Sequence, residues 1–171
     1  MHEANRNVKD LDSYLNDHLA GSVAALELIA HCADLYKGKP LGVFFSKMYA
    51  QIAADQNTLR DLMSRLSIEE SKVRQAGAWA GEKLSRALLA MAGNEPDGLG
   101  LLLALEGLIM GIAGKGLLWR ALAATNLSKL EIFDFEKLQR RAAGQIRRVQ
   151  AEQVRSARRA LVEKGVWRGD S

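Results

Sequence analysis

Proline occurs at positions 40 and 96 and nowhere else in this 171-residue chain. Its ring removes a backbone donor and clashes with the preceding turn, so its scarcity leaves long runs open to helix. Those runs are rich in Ala, Leu, Arg, Lys, Glu and Gln, which lose little on entering a helix. The β-branched and aromatic residues that favour strands are sparse. The fold class that follows is all-α.

Punctuation divides the chain into five helical segments. The first is expected over about residues 11–36 and stops at "KGKP", where Gly38 can take a left-handed cap and Pro40 can open the next helix. The second covers about residues 41–66. In "SIEE", Ser67 and Glu70 have the spacing of a capping box, which starts a shorter segment ending near residue 92. "GNEPDG" (93–98) is a loop, a fourth helix covers about residues 99–124, and "TNLSKLEIFDF" separates it from a last helix ending near residue 163.

At 100° per position each long segment carries one apolar face. On the first it is Leu11, Leu15, Ser22, Leu26, Ile29 and Ala33; on the second, Leu41, Phe45, Met48, Ile52, Asp55, Leu59 and Met63. On the fourth it is Leu101, Leu105, Leu108, Ile112, Gly116 and Trp119; on the last, Leu138, Ala142, Ile146, Val149, Gln153 and Ala160. Four such helices describe a four-helix bundle with an additional short helix in the crossover. A hydrophobic content of 48% suffices for one core. The expectation is a single domain over residues 1–171, with 1–10 as a flexible lead and 165–171 as a tail.

The polar start "MHEANRNVKDLDSYL" lacks the apolar core of a secretory signal, so a cytoplasmic location is expected. Cys32 is the sole cysteine, which excludes an internal disulfide and reads as a small buried hydrophobe. The most apolar stretch, residues 99–119, is interrupted by Glu106 and Lys115, and a central bundle helix is preferred over a membrane span.

One acid, Asp55, falls on an apolar face, and around it "LAGSVAALELIAHCA" (19–33) and "DQNTLRDLM" (55–63) resemble the first helix pair of the ferritin-like superfamily, particularly its rubrerythrin-type bundles. That family places a Glu after Ala-Gly on the first helix and a Glu-x-x-His pair one hairpin later. Carried over residue by residue, Ser22 stands at the first Glu position, Asp55 at the second and Thr58 at the His position. Gln145 and Arg148 stand where the last helix would supply another Glu-x-x-His, and Leu108 or Ile112 where the fourth would supply Glu. A di-iron centre needs several acids to offset its charge and imidazoles to complete it. This chain offers one acid in those positions, so no metal and no cofactor is expected. A buried carboxylate still needs a counter-charge. The candidates are Lys115, roughly 60° from its helix's apolar centre, and Arg148, which is favoured because its planar guanidinium can grip a carboxylate twice.

Other motifs are read as structural. Glu27 and His31 lie opposite the first apolar face, Glu106 points away from its helix's centre, and His18 is a packing residue at the core edge. "GIAGKG" (111–116) lacks the Gly and the Ser/Thr of a phosphate loop. Its glycines suggest close approach of a neighbouring helix. The last helix is strongly basic: ten Lys and Arg against two Glu between residues 137 and 168, a local excess of eight in a chain of net charge +4. Arg140, Arg147, Arg155 and Arg158 form a possible anion-binding face. No aromatic residues interleave to stack bases, so a solvated face or subunit contact is preferred over a nucleic-acid site.

The expected function is a non-catalytic, metal-free ferritin-like bundle with a structural or protein-interaction role. A homodimer is expected because Phe44, Trp79 and Trp167 have no place in the four core faces. The alternatives are a ferritin-like oxidoreductase with a nonstandard metal site and a binder of anionic polymers.

Overall fold

The computed structural model describes residues 2–70 and 98–162. Among these residues there are four long helices and no strand: α1 (His2–Leu35), α2 (Pro40–Arg65), α3 (Leu99–Ala124) and α4 (Phe135–Leu161). A single 3-10 turn, Ser128–Leu130, lies between α3 and α4. The closest pairings are α1 with α2 and α3 with α4, each pair a hairpin, and α1 also packs on α3.

The turns follow from local chemistry. Gly38 sits at φ +78° in the left-handed region, and Pro40 occupies the start of α2. A Cβ on Gly42 would collide with the Tyr36 carbonyl, so the first hairpin closes only with glycine there. At the far end of α2 the structure corrects the expected capping box. Ser67 adopts φ +59°, its N–H bonds Ser64 O at 3.0 Å and the Ile68 N–H bonds Met63 O at 2.9 Å. This pair of bonds terminates a helix, so Ser67 ends α2 instead of opening the next one. Glu70 reaches back to Arg60 at 3.3 Å instead of capping. Residues 68–70 are held to α1 by Asn16, whose buried amide donates to Glu69 O at 3.2 Å. The rest of the expected crossover helix, the 93–97 part of the loop, Trp79, Trp167 and the 165–171 tail lie outside the described residues.

One other boundary differs from expectation, and the start of the last helix falls within one residue of it. α1 begins at His2, ahead of its apolar stripe, because nothing in the polar lead breaks a helix. α4 begins at Phe135 under Asp134, whose side chain accepts the Lys137 N–H at 2.8 Å.

The apolar stripes meet in two clusters. One joins Ile29 and Tyr36 of α1, Phe45 and Ile52 of α2, Leu105 and Ile112 of α3, and Val149 of α4. The other joins Leu15 and Leu19, Leu59 and Met63, Leu118 and Trp119, Leu138, and Leu130 of the 3-10 turn. Along α2 the break falls between Ile52 and Leu59, and along α3 between Ile112 and Leu118. Asp55 and Lys115 occupy those two gaps.

Candidate functional site

A polar layer therefore crosses the middle of the bundle, with each helix supplying part of it because its apolar repeat is broken at one level. Asp55 on α2 is only 2% exposed, at the register position between Ile52 and Leu59. The Lys115 ammonium on α3 contacts Asp55 Oδ2 and donates to Gln145 Oε1 at 2.6 Å. Gln145 on α4, fully buried, returns its amide to Asp55 Oδ2 at 2.9 Å. One turn earlier on α4 the Arg141 guanidinium makes an ion pair with Asp55 Oδ1. One carboxylate thus meets two cations and a carboxamide. Burial pushes the Lys115 ammonium below the usual lysine value, Asp55 pulls it back up, and nearby Arg141 pushes it down.

A second chain of bonds flanks the first. Gln56 Nε2 donates to Ser22 Oγ at 2.8 Å, and Ser22 donates to Leu19 O at 2.6 Å. The Gln56 carbonyl accepts from Arg60 at 2.5 Å. Ser22, at the position that resembles a first-helix ligand, is therefore tied to a carboxamide and a backbone carbonyl.

Thr58 donates to Ala54 O at 3.0 Å on its own helix and takes no part in the layer. Arg148, favoured from sequence as the partner of Asp55, instead bonds Gln51 Oε1 at 2.6 Å and is exposed. The correction is one of level: Arg148 lies almost a turn past Gln145, whereas Arg141 lies a turn before it, at the height of Asp55. Arg141 was the residue missed, counted only in the basic excess of the last helix. Its i, i+4 spacing to Gln145 was the available signal.

The ligand set does not fit a di-iron centre. Two cations surround the only carboxylate of the layer, and among the described residues no three His, Cys, Asp or Glu side chains group as a metal ion needs. Glu27 is exposed and His31 half-buried, while Glu106 accepts from Gln153 at 3.1 Å. On the basic face of α4, Arg140 pairs with Glu136 at 2.9 Å and Arg155 pairs with Glu152; Arg147 and Arg158 are exposed.

Beside the polar layer, opening between α1 and α3 and backed by Ile52, Asp55, Gln56 and Leu59 of α2, is a cavity of about 210 Å³. Its rim includes the exposed Asp17, Gly21 and Gly111, and its floor the buried Leu59, Leu118 and Trp119. His18, half-buried, lies in its wall with its ring edge-on to Tyr14 at 4.7 Å. Burial pushes the His18 imidazole below its ordinary value, against the upward pull of Asp17. The expected close helix approach at "GIAGKG" is found only at Gly116, where a Cβ would stand 3.7 Å from the Ala142 Cβ. At Gly111 and Gly114 a Cβ would meet nothing within 4 Å, and the same holds at Gly21 across the cavity. Each such glycine costs its helix about 1 kcal/mol relative to Ala without gaining a packing contact.

Comparison with family models, curated proteins and solved structures gives no match to this chain.

Proposed function

We propose that this chain is a ferritin-like helical bundle in which protein cations stand in the central layer where such bundles hold metal, and that it has a non-catalytic, structural or protein-interaction role. The observation carrying this reading is the Lys115 ammonium seated between Asp55 and Gln145. An ammonium and a guanidinium neutralise the carboxylate without any redox capacity, and a metal ion entering the same layer would face both.

The interaction role rests on the outer face of α3. Leu99, Met110, Leu117 and Ala121 recur at eleven-, seven- and four-residue steps and so fall on one exposed stripe, while Leu103 on the same line packs against the core. Met110 and Leu117 are 70% and 61% exposed. An apolar stripe of this kind on a helix surface suits a symmetric contact with a second copy. Phe44, by contrast, is half-buried, edge-on to Phe45 and packed against the core.

Metal analysis of the purified full chain tests the central claim. Less than a tenth of an equivalent of iron, manganese or zinc is expected, before and after incubation with each ion. A stoichiometric ion lost in Asp55→Asn would overturn the reading in favour of a metal enzyme.

A further inference from the structure

We infer that the cavity that opens between α1 and α3 binds a small, uncharged, ring-sized molecule, apolar over most of its surface and carrying one hydrogen-bond acceptor. The inference does not depend on the ferritin-like reading. It rests on how the cavity is kept open and on which hydrogen-bonding groups around it remain unspent.

The volume of about 210 Å³ exceeds that of the ~150 Å³ apolar cavities known to take up benzene, so one substituted ring fits. Three glycines hold the space open from two sides, Gly21 on α1 and Gly111 and Gly114 on α3, and none is required by a close contact or a left-handed backbone. Alanine would serve these helices better unless the space itself is used. The floor of Leu59, Leu118 and Trp119 supplies apolar contact.

The polar groups define what the molecule must bring. Ser22 gives its hydroxyl proton to Leu19 and its oxygen to Gln56, and the Gln56 carbonyl is taken by Arg60. Asp55 holds Lys115, Gln145 and Arg141. The His18 imidazole in the wall is also unspent and can donate or accept according to which ring nitrogen carries its proton, and two further unspent groups are donors. Trp119 is 1% exposed, lines the cavity, and its indole N–H has no hydrogen-bond partner among the described residues. Lys115 also lines the cavity and uses two of its three protons on Asp55 and Gln145. The Trp119 nitrogen is sealed from the cavity by its own neighbours, so the ring serves as lining, and the third Lys115 proton is the one an entering acceptor can take. An uncharged acceptor, such as a ketone or aldehyde oxygen, suits the site better than a carboxylate. Both neighbouring cations already face Asp55, and Asp17 stands at the mouth.

The test uses the full chain labelled with nitrogen-15, the Trp119 indole signal being assigned by its loss in Trp119→Phe. Acetophenone, ethylbenzene and benzoate are titrated separately. Acetophenone is expected to shift the Trp119 signal saturably, with ethylbenzene at least five-fold weaker and benzoate giving no saturable shift. Gly111→Leu and Gly21→Leu fill the cavity from opposite sides, and each should abolish the shift while far-ultraviolet circular dichroism stays unchanged. The inference is overturned if acetophenone gives no saturable shift, or if ethylbenzene or benzoate binds as tightly. It is equally overturned if the shift persists in whichever filled variant folds.

Discussion

At Asp55 a single side chain decides the chemistry of the bundle's centre. Replacing it with Asn keeps the shape but leaves Lys115, 14% exposed, without its counter-charge. Sealed pairs cost about 3–5 kcal/mol when one partner is removed. Arg141, 35% exposed, can turn toward water, so Asp55→Asn should lose about 2 kcal/mol in urea unfolding. Asp55→Leu combined with Lys115→Met and Gln145→Leu should lie within about 1 kcal/mol of the native chain, because neither a sealed charge nor the buried Gln145 carboxamide is then left without partners. A larger loss in this triple variant than in the single would contradict this account. Cys32 offers a test by pH. Burial pushes its thiol from 9.0 up to about 12, so the folded chain keeps a proton that the unfolded chain releases. Its contribution is complete below pH 9 and falls as pH rises toward about 12, by up to about 1.4 kcal/mol per pH unit. The fall in stability between pH 9 and 10.5 should be shallower in Cys32→Ala; identical slopes would remove the thiol as its cause.

At the scale of the helix, glycine has opposite meanings at two places. Gly42 begins α2 against the Tyr36 carbonyl, and Gly42→Ala should destabilise by more than 1 kcal/mol, roughly the cost of an overpacked site. Gly111 lies within α3 beside open space, and Gly111→Ala should stabilise by up to about 1 kcal/mol through helix propensity alone. Thermal unfolding of the two variants checks both signs, and a destabilising Gly111→Ala would place an unseen contact there. The turn residues 37–40 were legible from the sequence because Gly38 and Pro40 act through their own backbone. The role of Ser67 was not, since its spacing to Glu70 satisfies a capping rule that the chain resolves the other way.

At the scale of the molecule, the outer stripe of α3 bears on assembly. α3 is also, among the described helices, the one long and apolar enough to cross a bilayer by length and composition. The same excess of apolar surface fits burial on both faces, one in the bundle and one against a second copy. Light scattering of the full chain at micromolar concentration should give a dimer mass. Met110→Lys together with Leu117→Lys should give a monomer, because two like charges would face each other across a symmetric contact. A monomer before substitution, or a dimer after it, would exclude this surface as the interface.

What the sequence determined by itself was everything that depends on one helix at a time. The stripes from Phe45 to Met63 and from Leu101 to Trp119 follow from a period of 3.6 residues, and an all-α fold follows from their length. The need of Asp55 for a counter-charge was equally legible, since it follows from desolvation alone. Which cation answers it was decided only when the helices were set beside one another. Arg141 and Arg148 are seven residues apart and so share one side of α4, and angular position says nothing about height along the bundle. Packing sets that height, bringing Lys115 and Arg141 level with Asp55 and leaving Arg148 to Gln51. The cavity beside Trp119 was hidden for the same reason: it is space among three helices, bounded by glycines distant in sequence, and no periodicity within any one helix encodes it.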